Sequence, residues 1–157
     1  MTTHSFTISS DLPIPAEQFS RNLDMAGVNY ELGPLVKMTA PEEWKGRAIL
    51  EWPEGRLLFS SWILLLGVIP IDRHHFQLDA VLPGEGFVEN SSSTTNRFWR
   101  HSRTIQSASA GCRVTDTVQY ENRLPLLGAL FKPVYRLVFS WRHHRLKSLY
   151  SKGRSTG

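Results

Sequence analysis

The feature that most constrains the fold is a stretch of alternating apolar and polar residues that extends from Arg47 to Tyr120. It divides into segments rich in β-branched and aromatic residues, which are separated by turn-forming sequences such as PEG and PGE. A spacing of about ten residues between turns is typical of an antiparallel meander. The predicted strands are RAILEW, RLLFSSWILLL, DRHHFQLDAVL, GFVENSSST, FWRHSRTIQS and RVTDTVQYE.

The periodicity changes near residue 130, where apolar residues begin to recur three and four apart. This pattern indicates a long amphipathic C-terminal helix, with Pro133 near its start or kinking it. The predicted apolar stripe consists of Phe131, Val134, Val138, Trp141 and Arg145, flanked by Leu130, Leu137 and Leu146.

Residues before the meander complete the architecture. SFTISS alternates like a strand, and PAEQFSRNL carries proline at a favourable first helical position. Since an apolar sheet face needs a cover, we predict an α+β fold. In this fold a curved antiparallel sheet of about six to seven strands wraps around the long C-terminal α-helix, with two short helices near the N-terminus. The segment at residues 30–38 matches no functional motif.

Composition and length fit an ordinary globular domain, predicted over residues 1–151, with residues 152–157 as a frayed tail. The single cysteine, Cys112, cannot form an internal disulfide. The first residues lack the pattern of a secretory signal, and the longest apolar stretch, Leu57–Ile71, is interrupted by glycine and proline. We therefore expect a soluble cytoplasmic domain, as a monomer or a weak homodimer.

Positive charge is concentrated near the C-terminus. The formal net charge is +4, and residues 136–154 contain Lys and Arg but no Asp or Glu. Such residues complement the dipole at the end of a helix, and they also favour contact with an anionic membrane, predicted through Arg142, Arg145 and Lys147. The aromatic residues are not placed as stacking platforms on an exposed sheet, so no nucleic-acid partner is predicted.

The strands on either side of the SASAG turn contain the main candidate site. Alternation places Trp99, His101 and Arg103 on one face, and turning at residues 108–111 puts Arg103 opposite Asp116. One interpretation is an internal ion pair that satisfies buried polar groups. The other is that His101 and Arg103 meet a ligand's carbonyl or carboxylate while Asp116 orients them.

Other reactive residues fall outside that strand pair. His74 shares a strand face with apolar neighbours and is expected inside, and Glu89 is a second candidate interior acid. The adjacent pairs His74–His75 and His143–His144 point apart, so no metal site is predicted. Cys112 lies in a predicted turn with no partner base evident, and no cofactor-binding motif occurs.

The last third of the chain resembles the helix-grip superfamily (SRPBCC), which includes START lipid-transfer domains, birch-pollen-allergen-like proteins and polyketide cyclases. Its single-domain bacterial members carry a W-x-H-x-h strand, a glycine turn, an h-x-D-x-V-x-Y strand, a P-h-G turn and a terminal helix. The matching residues are Trp99, His101, Arg103, Gly111, Asp116, Val118, Tyr120, Pro125, Gly128, Arg142 and Leu146. The resemblance implies the fold, and it implies function only at the level of lipid carriers, ligand-binding proteins, cyclases and chaperone regulators.

Together these features predict binding or transport of a hydrophobic small molecule, lipid-like, quinone-like or polyketide-like, in a cavity between sheet and helix. The alternative is a polyketide cyclase or dehydratase, with His101 as general base, Arg103 stabilising an enolate oxygen and Asp116 orienting His101. A third hypothesis is a protein-interaction module. The predicted ligand-binding residues are Trp99, His101, Arg103, Asp116, Tyr120, His74, Glu89 and Trp141.

Overall fold

The computed structural model describes residues 2–151, which form one antiparallel sheet and four α-helices. The strands are β1 (His4–Leu12), β2 (Val36–Met38), β3 (Leu57–Leu65), β4 (Ile69–Leu82), β5 (Gly86–Ser93), β6 (Asn96–Ala108) and β7 (Gly111–Asn122). The helices are α1 (Ala16–Arg21), α2 (Met25–Leu32), α3 (Glu42–Lys45) and α4 (Leu127–Ser151), with a 3₁₀ turn at Ile49–Glu51. The strand order is β1-β7-β6-β5-β4-β3-β2. The curled sheet and long terminal helix confirm the predicted α+β architecture, and the predicted tail, 152–157, lies outside the described residues.

The hairpin of β6 and β7 has the predicted register. The paired residues are Trp99 with Tyr120, His101 with Val118, Arg103 with Asp116 and Ile105 with Val114. Arg97 is exposed although it has the parity of His101, because the β6–β7 register shifts between Asn96 and Phe98. Beyond that shift, alternate side chains leave opposite faces of the strand, so His101 and Arg103 are buried while Arg100 lies on the outer face. There Arg100 donates to Asp79 on β4.

The core lies between the sheet and the helices and has two apolar clusters. The larger contains an aromatic group, Trp44, Trp52, Phe59 and Phe76, in which the Phe59 and Phe76 ring centroids are 5.1 Å apart. The smaller is built from Phe6, Val118, Tyr120 and Phe139. Helix α4 contributes Leu146 to the larger cluster and Phe139 to the smaller, so both clusters hold it against the sheet.

The segment RAILEW does not form the predicted strand. Ile49 and Trp52 are both buried, and a strand would send residues three apart to opposite faces. The 3₁₀ turn brings them to the same side, because residues i and i+3 coincide in this helix. The Trp52 indole N–H donates to the Arg47 carbonyl oxygen at 3.3 Å.

Helix α4 is rotated relative to the predicted stripe. Its buried side chains include Phe139, Arg142, His143 and Leu146, whereas Leu137 is 65% exposed. The prediction selected the most apolar face, but acidic side chains of the sheet and α2 draw Arg142 and His143 inward. Pro133 lies inside the helix, near its N-terminal end. Among residues 2–151, no helix has the length and apolar composition needed to cross a membrane.

The segment at residues 30–38, which matched no motif, contains the end of α2, a turn and the edge strand β2. Asp24 caps α2, its carboxylate accepting from the Gly27 N–H at 2.7 Å. The Asn29 side chain then joins α2 to β2, since its amide donates to the Met38 carbonyl at 2.9 Å and accepts from the Met38 N–H at 2.7 Å. This bracing fixes α2, and with it Glu31, over the sheet.

Candidate functional site

Asp116 lies at the centre of a buried group of charged side chains. Its Oδ1 accepts from Arg103 Nε and lies 2.8 Å from His101 Nε2, and its Oδ2 accepts from Arg103 Nη2 at 2.7 Å. Asp116 Oδ2 also lies 2.9 Å from His143 Nε2. At most 1% of either Arg103 or Asp116 is exposed. The Arg103–Asp116 contact is the internal ion pair of the first interpretation, and contact with a ligand stays a prediction.

Glu31, which the sequence reasoning missed, completes the group from α2. Its two oxygens accept from Arg103 at 2.7 and 3.1 Å, and Oε1 also accepts from Arg142 Nε at 3.2 Å. A signal was present, because Val28, Glu31 and Leu32 share one helical face that is otherwise apolar. An acid on an apolar face that packs inward needs a hydrogen-bonding or charged partner.

A second chain of polar side chains connects this group to β4 and β5. Glu89 Oε1 lies within hydrogen-bond distance of His74 Nε2 and accepts from Ser91 Oγ at 2.7 Å. Its Oε2 lies 3.5 Å from Nδ1 of His101, whose other nitrogen faces Asp116. We call Glu31, Glu89, His101, Arg103, Asp116, Arg142 and His143 the buried charge network.

Opposite charges keep the acids of the network ionised. Burial alone raises a carboxyl pKa, but the charge and hydrogen bonds of Arg103 hold the pKa of Asp116 well below its usual range. The pKa of Glu31 is lowered because Arg103 and Arg142 outweigh its burial. The pKa of Glu89 is lowered because the interactions with His74 and His101 outweigh its burial.

The pKa of His101 is shifted in the opposite direction, upward. Burial lowers a histidine pKa, but the adjacent Asp116 and Glu89 carboxylates outweigh burial and raise it, while Arg142 opposes them. With His101 protonated, the three cations His101, Arg103 and Arg142 balance the three carboxylates Glu31, Glu89 and Asp116. These six groups together are then formally neutral.

These shifts predict how stability depends on pH. His101 has a raised folded pKa, so its contribution is complete below its ordinary value of 6.5 and is lost as pH rises through the folded pKa. Asp116 and Glu31 have lowered pKa values, so their contribution is lost as pH falls below about 4. We expect the melting temperature to be highest near pH 5–6 and to fall on both sides.

Thermal melts across this pH range test the prediction. In a His101→Gln variant the alkaline decline is expected to flatten while the acid decline persists. A melting temperature that rises steadily from pH 6 to 8 in the unmodified protein would contradict the assignment.

A cavity of about 350 Å³ lies between the sheet, α2 and α4. Its lining is mostly apolar and includes Val28, Leu32, Met38, Ile63, Phe76, Phe87, Trp99, Val138 and Phe139. The polar residues at its surface are Asp72, His74, Glu89, Asn96, His101, Tyr135 and Arg142. The buried charge network thus forms part of the cavity wall, through Glu89, His101 and Arg142.

The predicted site residues divide between the cavity and its surroundings. Those that line it are His74, Glu89, Trp99 and His101. Arg103 and Asp116 are not among its lining residues and bind each other. The Tyr120 hydroxyl donates to the Gly128 carbonyl at 2.8 Å, and the Trp141 indole donates to the Gly33 carbonyl at 2.9 Å, so both fasten α4 rather than face the cavity.

The predicted basic surface on α4 needs a correction. Arg142 is 6% exposed and donates to Glu31, so it cannot form part of an external patch. Arg145 lies over the Tyr30 ring, with its guanidinium carbon 4.2 Å from the ring centroid, and Lys147 is exposed.

Cys112 is buried and its thiol pKa is raised by that burial. No group of His, Cys, Asp or Glu within residues 2–151 is placed to hold a metal ion.

Comparison with known proteins identifies a family and a fold. A family model described as "Domain of unknown function (DUF8410)" matches residues 10–150. No curated protein gives a significant match.

Three solved structures share the architecture. Protein CV1439 from Chromobacterium violaceum has a TM-score of 0.69 at 15% identity, covering 93% of this chain and 96% of its own. A START superfamily protein from Mycobacterium smegmatis has a TM-score of 0.60 at 8% identity, covering 96% and 97%. The di-domain ARO/CYC StfQ of the steffimycin biosynthetic pathway has a TM-score of 0.63 at 10% identity, covering 98% and 52%. At such identities the likeness concerns the fold alone, and at that level it confirms the helix-grip resemblance.

Proposed function

We propose that this chain, which belongs to the DUF8410 family, binds an apolar small molecule in the cavity between its sheet and α4. The observation that carries the proposal is a mostly apolar cavity with a few polar groups gathered in its wall, the usual construction of a small-molecule site. Apolar burial would supply affinity, and the polar groups would fix orientation. The START superfamily name of one structural neighbour is consistent with such a role.

The polar wall limits the chemistry of the ligand. Glu89 is an ionised acceptor at the cavity surface, so a ligand carboxylate placed beside it would be repelled. A hydroxyl is matched better, because it can donate to Glu89, and a carbonyl oxygen can accept from Arg142. An apolar body with hydroxyl or carbonyl oxygens describes lipid-like, quinone-like and polyketide-like molecules alike.

The cavity volume adds a limit on size. At about 350 Å³ it lies near the lower end of the range of roughly 300–1,000 Å³ that small-molecule sites occupy. A single ring system or one short chain fits this volume. We therefore propose a compact ligand rather than a two-chain phospholipid held entirely inside.

The geometry favours binding over the cyclase hypothesis with its original residue roles. Arg103 donates to Asp116 and Glu31 and lies outside the cavity lining, so stabilising an enolate would require breaking both ion pairs. Both ring nitrogens of His101 face carboxylates, Asp116 and Glu89, so neither is open to accept a proton from a substrate. The ARO/CYC name of StfQ keeps an enzymatic role as the competing hypothesis.

Native mass spectrometry and a fluorescent probe test the proposal. Protein purified from bacteria is expected to carry an apolar molecule, and the emptied protein to bind the neutral probe N-phenylnaphthylamine. Val138 lines the cavity from α4, so Val138→Phe is expected to weaken probe binding about ten-fold or more by occupying that space.

The matched control is Leu82→Phe, which adds an aromatic ring at a 42% exposed position outside the cavity lining. We expect this variant to bind the probe as the unmodified protein does. Equal loss in both variants, or no probe binding by a correctly folded unmodified protein, would overturn the proposal.

A further inference from the structure

Helix α4 places polar side chains at two points of the cavity wall that lie two turns apart. Tyr135 and Arg142 both line the cavity, and the helical rise places them about 10 Å apart along the helix axis. Val138 and Phe139 line the cavity between them. On the side of α4, the cavity therefore has an apolar middle with a polar group at each end.

The sheet supplies polar partners at both of these points. Asn96, at the start of β6, donates from Nδ2 to the Tyr135 hydroxyl at 3.1 Å. Glu89 lies further along, where it pairs with His101 of the same strand, and both line the cavity. Trp99 separates the two points on β6, with its ring centroid 5.2 Å from that of Tyr135. We call Asn96 and Tyr135 the tyrosine end of the cavity, and Glu89 and Arg142 the network end.

The hydroxyl hydrogen of Tyr135 is weakly bound within the protein. Among residues 2–151, the acceptor for this O–H is Asn96 Oδ1 at 3.4 Å. That distance exceeds the roughly 2.5–3.0 Å that is usual for a hydroxyl donor. Asn96 Oδ1 is already occupied, because it accepts from Asn122 Nδ2 at 2.7 Å. An oxygen of a ligand at the tyrosine end would therefore be a better acceptor for the Tyr135 hydroxyl.

Arg142 provides a second available donor, at the network end. Its Nε donates to Glu31 Oε1 at 3.2 Å, and its Nη2 lies 3.1 Å from the same oxygen. Within residues 2–151, no acceptor pairs with Nη1 of this cavity-lining arginine. Glu89 lies at the same end, so a ligand hydroxyl can accept from Arg142 and donate to Glu89.

We propose that the ligand is a slender apolar molecule with an uncharged oxygen at each end, one accepting from Arg142 and the other from Tyr135. This inference rests on the proposed function and adds the length of the ligand and the positions of its oxygens. Both oxygens are uncharged because each end of the cavity also has a carboxylate, which would repel an acidic group. At the network end this is Glu89, and at the tyrosine end it is Asp72, which lines the cavity and accepts from the backbone N–H of Thr95, next to Asn96.

A ligand with a single polar end fits the cavity less well. Its apolar end would exclude water from the Tyr135 hydroxyl or from Arg142 Nη1 without supplying an acceptor in exchange. A buried donor that loses water and gains no partner is unfavourable. The wall thus favours a two-ended molecule over one whose only oxygens lie at one end of an apolar chain.

Rigid two-ring probes test the inference in the unmodified protein, through competition with N-phenylnaphthylamine. The first, p,p′-biphenol, carries a hydroxyl at each end, and its methyl analogue has a methyl group in place of one hydroxyl. We expect p,p′-biphenol to bind about ten-fold more tightly than the methyl analogue, because it makes a hydrogen bond at both ends. The isomer o,o′-biphenol, whose hydroxyls lie near the middle of the molecule, is expected to bind about ten-fold more weakly than p,p′-biphenol.

The variant Tyr135→Phe keeps the ring and removes the hydroxyl. It is expected to bring the affinities for p,p′-biphenol and the methyl analogue within about two-fold of each other. The matched control is Tyr30→Phe, since Tyr30 lies on α2 outside the cavity lining, and this variant should keep the preference for p,p′-biphenol. Thermal melts establish that both variants are folded, and the probe series itself needs neither of them.

The possible failures are distinguishable. If N-phenylnaphthylamine binds but the unmodified protein takes up p,p′-biphenol and its methyl analogue equally well, the two-ended ligand is wrong while the proposed function stands. A preference for p,p′-biphenol that persists in Tyr135→Phe would likewise contradict the role of Tyr135. If N-phenylnaphthylamine does not bind to the folded protein at all, the proposed function fails and this inference fails with it.

Discussion

Replacing Asp116 by alanine is expected to lower the free energy of unfolding by about 3–5 kcal/mol or more, the largest effect of any single side-chain truncation in the network. The substitution removes the carboxylate that pairs with Arg103 and hydrogen-bonds His101 and His143. Arg103 is almost completely buried, so its charge would be left with Glu31 as its only acidic partner among the described residues. An underpaired charge at such a site costs far more than the lost hydrogen bonds alone.

The neighbouring strand pair, β1 and β7, provides a control. Asp11 and Arg113 also form a two-point ion pair, with Asp11 Oδ1 accepting from Arg113 Nε at 2.8 Å, but both side chains are more than half exposed. Asp11→Ala is therefore expected to change stability only slightly, because water solvates the freed arginine. Urea unfolding of both variants measures the difference. Equal effects would show that burial does not set the cost at Asp116.

A double-mutant cycle identifies the origin of the loss. If an underpaired Arg103 causes most of it, then Arg103→Met combined with Asp116→Ala should be less damaging than the sum of the two single changes. Additive effects would instead assign the loss to His101 and His143. Asp116→Asn, which keeps the shape but not the charge, is expected to fall between the unmodified protein and Asp116→Ala.

The β6–β7 site was predictable from the sequence because strands have an exact two-residue period. Alternation set which residues face inward, and the turn at residues 108–111 set the register that pairs Arg103 with Asp116. The same rule placed His74 and Glu89 inside, and both are buried. Each of these inferences needed only the alternation within one strand or the position of one turn.

Contacts between helices and the sheet were not predictable in that way. Glu31 reaches Arg103 across 72 residues of sequence, and no local pattern states where α2 will lie on the sheet. The prediction of which face of α4 is buried was wrong for a related reason. Amphipathicity favours burying the most apolar face, but the network acids make burial of Arg142 and His143 favourable, and those acids come from other elements.

Replacing Gly86 by alanine is the second substitution with a large expected effect, about 4 kcal/mol or more of unfolding free energy. Gly86 begins β5 with a φ of +127°, a conformation that residues with a side chain rarely adopt. A Cβ atom added there would overlap the carbonyl oxygen of Arg103 and lie 2.9 Å from its carbonyl carbon. Relief requires moving the backbone of β6, and that movement would displace Arg103 from Asp116 and Glu31.

Gly84 separates the cost of a positive φ from the cost of steric overlap. Its φ is also positive, at +76°, but open space surrounds its Cβ position. Gly84→Ala carries only the conformational cost, about 1–2 kcal/mol. The excess loss in Gly86→Ala therefore measures what close approach of β5 to Arg103 contributes. If the two alanine variants melt at the same temperature, then β6 yields without disturbing the network, and the tight fit at Gly86 does not help to position Arg103.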